Sequence, residues 1–252
     1  MIDSLPGASV LGARITALGW RETLDVLSGW TARCESRYVC ISNVHMVITA
    51  QRDAELAETM RKADMATPDG APLAWMLRRL GFADQQRISG TELMLAYFKD
   101  ASARGESVFL LGSTEETLHA LLRELHARLP GLRIADAYSP PFRALSALED
   151  AALIDRINDS GARTVWVSLG CPKQEKWMLA HRGRVNAVMF GVGAAFDFVA
   201  GTKPRAPQWM QTAGLEWLHR LTSEPGRLWQ RYLVTNTLFV LGAVRQLVFG
   251  RR

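Results

Sequence analysis

Cysteine is scarce in this chain: Cys34, Cys40 and Cys171 are the only three in 252 residues. None forms a C-x-x-C pair, and the odd number argues against a disulfide framework or a zinc site and for a reducing compartment. No Asp-x-Asp occurs, and no His, Asp or Glu cluster has metal-ligand spacing, so the usual carboxylate platform for a divalent ion is missing. The opening residues carry no basic stretch followed by a long apolar one, so no secretion signal is expected. No run reaches the roughly 18 apolar residues of a membrane span, and none is expected to cross one. Gly191-Val-Gly193 begins a dinucleotide fingerprint, but Phe196 stands where its third glycine belongs. That failure, without a well-placed ribose-binding acid, speaks against an NAD-dependent enzyme. Internal repeats and low-complexity linkers are also lacking.

What is present reads as an ordinary globular composition, 48% hydrophobic and 22% charged. The net charge of +5 is unevenly placed. From Gly201 onward eight Lys and Arg face two acids, a balance of +6, while the remaining 22 basic and 23 acidic residues give −1. Such asymmetry points to an anionic partner: nucleic acid, phosphate groups or a membrane surface.

Four short apolar runs predict buried strands: 38–42, 107–112, 163–170 and 186–193. Helical patterns follow at 44–62, 72–80, 91–104, 114–129, 146–160 and 173–183. This alternation predicts an α/β, Rossmann-like, mostly parallel sheet with helices on both faces. The prolines of "AYSPPF" (137–142) predict a loop. Composition shifts near Gly201, so the expected organisation is an α/β catalytic domain over 1–200 and a helical appendage over 201–252. In that appendage "QWMQTAGLEWLHRL" reads as one helix. Ser223-Glu-Pro-Gly reads as the N-cap of a second, which carries Arg227 and Arg231 on one face. Trp209, Trp217, Trp229 and Tyr232 set amphipathic rings among the arginines, as suits a lipid headgroup interface. The apolar final dozen residues fit lipid better than nucleic acid.

Several turns carry candidate chemistry. Gly112-Ser113-Thr114 follows a strand and opens a helix, where free N–H groups meet phosphate in open parallel sheets; such turns also simply connect the two elements. In "SLGCPKQEKWM", Gln174 offers a donor and an acceptor in a first helical turn, and Glu175 suits the helix dipole. Cys171 has no histidine placed beside it to activate a thiol. In "ATPDGAP", Asp69 sits between turn formers. Asn43 ends the first strong strand, and Arg87 lies in the polar stretch "QQRISG". A carboxylate at such a bend is placed to act as a general base, or only to form a turn. His45 and His119 fall within helical patterns and read as structural.

Taken together, "NVHMVITAQRD", "TPDGAPLAW", "RISGTEL", "LGCPKQEKWM" and the long block from "GVGAAFDFVAGTKPRAP" through "RLWQRYL" resemble the WecG/TagA/CpsF glycosyltransferases. That family, glycosyltransferase family twenty-six, includes GumM-type enzymes of exopolysaccharide assembly. The resemblance implies a metal-independent, inverting enzyme without cofactor, peripheral on the cytoplasmic face of a bacterial plasma membrane. It implies transfer of a sugar from a UDP-sugar to a polyprenyl-diphosphate-linked saccharide. By position, Asp69 matches the family's proposed base, Asn43, Arg87 and Gln174 its donor pocket, and Arg220, Arg227 and Arg231 the arginines of its appendage. The family usually has threonine two residues before the Asn; here that position is Ile41. Some members of the family self-associate, so the resemblance also points to a homodimer. The rival reading is a non-catalytic nucleotide-binding module that docks on membranes.

Overall fold

The computed structural model describes residues 5–212 and 214–250, with the side chains of residues 212, 227, 228 and 231 outside the description. Its main sheet has six strands and is surrounded by helices, so the chain is α/β as the sequence rhythm predicts. The described residues group into two compact units. One, the sheet unit, comprises residues 20–41 and 90–203. The other, the terminal unit, draws on residues 1–19, 42–89 and 204–252.

In the sheet unit, β3 (Arg37–Ser42), β8 (Val188–Gly191), β7 (Thr164–Ser168), β5 (Ser107–Gly112) and β6 (Arg133–Tyr138) pair in parallel. Val108 through Leu111 and Val165 through Val167 are fully buried. Strands covered on both faces therefore show continuous apolar runs rather than alternation. Trp166 pairs in register with Phe190, and their rings stack at 4.2 Å. Tyr97 and Phe98, from α5 (Gly90–Arg104), close over that stack at 5.6 and 4.9 Å from Trp166. The other helices here are α1 (Trp20–Ala32), α6 (Glu115–Arg128), α7 (Ala147–Asp159), α8 (Lys173–His181) and α9 (Ala195–Ala200). Thr114 caps α6, and Ser146 with Glu149 forms a reciprocal capping box on α7. The loop expected from residue 137 begins later: Ala137 and Tyr138 end β6, paired with Leu110 and Leu111. An edge strand keeps polar positions such as Arg133 and Asp136, so its sequence lacks the apolar run of its neighbours.

The terminal unit opens with an antiparallel hairpin, β1 (Gly7–Val10) and β2 (Ala13–Thr16). Its two-residue turn holds Leu11 and Gly12 at φ 51° and 91°. The single helix expected over 44–62 is two, α2 (Val44–Ala50) and α3 (Ala54–Lys62), because Asp53 starts a new helix by accepting from the Leu56 N–H. β4 (Met65–Pro68) leads into α4 (Ala71–Arg79). The first appendage helix is also divided, into α10 (Gln208–Thr212) and α11 (Glu216–Ser223). Gly214 between them has φ 73°, and a Cβ there would meet the Ala71 Cβ at 2.9 Å. Ser223 does not cap the last helix, α12 (Pro225–Phe249): its hydroxyl donates back to the His219 carbonyl, and Glu224 takes the N-cap position.

Helix α12 corrects a further expectation. Its 18 residues Tyr232–Phe249 are long and apolar enough, by length and composition, to cross a membrane. Thr235, Asn236, Thr237, Arg245 and Gln246 interrupt the apolar run within it. One stripe of the helix turns inward through Thr235, Phe239 and Ala243, each nearly buried. The Gln246 side chain clamps the hairpin turn, accepting from the Leu11 N–H (2.8 Å) and donating to the Ser9 carbonyl (2.7 Å). Gly242 lets Leu11 seat against the helix, since a Cβ there would lie 2.5 Å from the Leu11 Cδ2. Leu233, Leu241 and Val248 face outward, each more than half exposed.

Candidate active site

The bend after β4 builds the centre of the terminal unit. The Asp69 N–H donates to the Ser42 carbonyl (2.7 Å) and the Thr67 carbonyl (3.1 Å), which fixes the backbone under the carboxylate. Gly70 follows at φ 103°, a conformation that a side chain would strain, and turns the chain into α4. The Ile88 N–H donates to the Pro68 carbonyl (3.0 Å), anchoring the segment that carries Arg87 beside the same bend. Asn43 caps α2, its Oδ1 accepting from the Met46 N–H at 3.1 Å.

A cavity of about 600 Å³ in this unit is lined by Asn43, Asp69, Arg87 and Arg220. Four of the candidate residues therefore line one cavity, drawn from segments as far apart as 43 and 220. Arg87 Nη1 donates to Glu216 Oε2 at 2.9 Å, and both side chains are mostly buried. Trp217, next on α11, meets Tyr232 of α12 edge-on at 6.1 Å. Phe239, Val240, Ala243 and Val244 complete an apolar wall. Val240 and Val244 are also 58% and 56% exposed, so the wall runs continuously onto the outward face of α12. His45 joins the lining as well, with Thr49 Oγ1 3.4 Å from its Nδ1.

Gly112, Ser113 and Gln174 belong to the sheet unit and are not among the residues lining this cavity. A Cβ on Gly112 would lie 2.5 Å from the Ser168 carbonyl oxygen, so glycine is required by the close approach. The Ser113 N–H donates to that same carbonyl (2.9 Å), and its own carbonyl accepts from Ser139 Oγ (2.7 Å). Gln174 is buried rather than solvated. Its Oε1 accepts from the Gly170 N–H (3.2 Å) and the Gly193 N–H (3.1 Å), tying together the turns after β7 and β8. Its Nε2 donates to Glu175 Oε1 at 2.7 Å. Glu175 is fully buried, and burial pushes its carboxyl above the usual range, with the bond from Gln174 opposing. Ile41 is buried, and Ser42 is buried with no hydrogen-bond partner for its hydroxyl among the described residues. Arg227 and Arg231 lie on α12, but their side chains fall outside the described residues.

Sequence reasoning missed Glu216, the α12 wall and Trp75 of α4, which also line the cavity. An acid in a first helical turn looks the same whether it serves the helix dipole or a distant arginine. The wall residues gave a signal only as an apolar stripe, with nothing to say which face would cover a cavity. The sequence model described as the Glycosyl transferase WecG/TagA/CpsF family matches residues 8–252, essentially the whole chain. The chain therefore belongs to the WecG/TagA/CpsF family and is a glycosyltransferase.

Proposed function

We propose that this enzyme transfers a sugar from a UDP-sugar to a polyprenyl-diphosphate-linked saccharide at a membrane surface, with inversion and without a metal. One observation carries the reading: a carboxylate and two guanidinium groups share a cavity whose apolar wall continues onto an exposed helix face. Asp69 takes the proton from the acceptor hydroxyl as its oxygen attacks the anomeric carbon. The bond from that carbon to the diphosphate oxygen breaks, and UDP leaves with the electron pair. Attack from behind the leaving group inverts the centre. A positioned carboxylate base is worth about 10²–10⁴-fold in rate.

Charge gathering on the leaving diphosphate needs a cationic partner. Arginine forks match diphosphate oxygens geometrically and keep their charge at any working pH. Arg87 and Arg220 supply that role here, with Arg227 and Arg231 as further candidates and Asn43 on the donor. The sequence offers no Asp-x-Asp to hold a divalent ion, which favours the arginine route. The apolar wall suits a lipid-linked acceptor: its hydrocarbon would pass from the bilayer along Val240 and Val244 without crossing water. The exposed rings of Trp209 and Trp229 suit the headgroup layer.

The test is UDP release in liposomes, with a polyprenyl-diphosphate disaccharide as acceptor and a panel of UDP-sugars, for wild type and Asp69→Asn. Turnover with one sugar, unaffected by EDTA and reduced about 10²–10⁴-fold in the variant, is expected. Equal turnover by the variant would reduce Asp69 to a turn former. Loss of activity in EDTA would overturn the metal-free route.

A further inference from the structure

Glu216 is the second carboxylate of the cavity. Its place in the first turn of α11 is favourable for any acid, because the helix dipole attracts negative charge there. That accounts for an acid but not for its partner. The contact to Arg87 joins residues 129 apart in sequence at 2.9 Å, with the side chains only 19% and 24% exposed. A carboxylate so placed occupies a guanidinium that the proposed reaction needs for diphosphate. The same helix carries Trp217 against Tyr232 and Arg220 into the cavity.

We propose that Glu216 is a resident counter-ion of Arg87, a positioning residue that holds α11 over the cavity and yields Arg87 to the incoming nucleotide diphosphate. The inference rests on the functional reading above, since it takes UDP as the competing anion. Two properties follow from the geometry. Removing the negative charge weakens the hold of residue 216 on Arg87, so nucleotide binds more tightly. It also loosens the tether on α11, so Arg220 is less well placed and turnover falls. A merely structural role would weaken both together.

Full-length protein in detergent is titrated with UDP by calorimetry, and KM and kcat are measured with the lipid-linked acceptor. Glu216→Gln keeps the shape and can still accept a bond from Arg87, so the fold is retained. It should bind UDP about three- to tenfold more tightly while kcat falls about two- to fivefold. Glu216→Asp keeps the charge on a shorter arm and should fall between the two. In an Arg87→Gln background the gain from Glu216→Gln should vanish, because the pair no longer exists. Wild type that binds UDP no more weakly than Glu216→Gln would overturn the inference and leave the functional reading intact. A gain that persists without Arg87 would also overturn it, by showing a general charge effect. Wild type that takes no UDP at all would remove the functional reading and the inference with it.

Discussion

The two units spend their aromatic residues differently. In the sheet unit Trp166, Phe190, Tyr97 and Phe98 pack on one another and are essentially buried. In the terminal unit Trp209, Trp217 and Trp229 are 64%, 40% and 50% exposed, and the helix between them and the C-terminal end leaves an apolar stripe outside. Large rings dominate core energetics when buried, whereas an exposed apolar patch marks a surface that something else covers. The first arrangement maximises stability. The second leaves stabilisation unclaimed, consistent with a surface reserved for a partner.

That contrast can be broken by separating activity from stability. Asp69→Asn should lose about 10²–10⁴-fold in turnover while its urea midpoint stays near wild type. Trp166→Ala should do the reverse. It loses the stack on Phe190 and the bond to Thr164 Oγ1 (2.9 Å), costing about 3–5 kcal/mol by urea denaturation, with turnover per folded molecule retained. If Asp69→Asn unfolded the protein, or Trp166→Ala lost activity at full stability, the division of labour would be wrong.

A smaller effect sharpens the account of α12. Gln246→Ala removes both bonds to the hairpin and should cost about 1–2 kcal/mol. Hydrogen exchange should then speed up at Leu11 and along the C-terminal half of the helix, and the sheet unit should stay protected. Unchanged exchange at Leu11 would mean that packing around Gly242 alone holds the helix.

The smallest expected effect tests the buried acid of the sheet unit. Burial holds the Glu175 carboxyl above its ordinary value of 4.5, so the folded state keeps its proton where the unfolded chain has lost it. Folded protein therefore binds more protons in that window, and wild-type stability falls as pH rises from about 4.5 through the raised pKa. Glu175→Gln has no proton to lose. Its melting temperature relative to wild type should rise across the same window and then level off; a difference independent of pH would count against a buried, titrating acid.

Periodicity in the sequence determined most of the sheet unit. Runs such as 107–112 and 163–170 are apolar on consecutive positions because both faces of the strand are covered, so burial is written locally. The strands it left unread are short or at an edge. β1, β2 and β4 have four residues each, and β6 keeps charged positions. Of the cavity, Asp69 was legible because Pro-Asp-Gly places an acid at a bend, and Asn43, Arg87 and Arg220 were legible through the family motifs. That these four meet, and that Glu216 faces Arg87, came only from the tertiary structure. A helix-initial acid and a distant arginine carry no mark of each other in sequence. The same holds for Gln174: its type suggested a group that reads ligands, but the fold buried it and used its carboxamide to tie two turns. Sequence set which residues could do the chemistry. Only chain packing decided which were left facing open space, because exposure depends on segments far away along the chain.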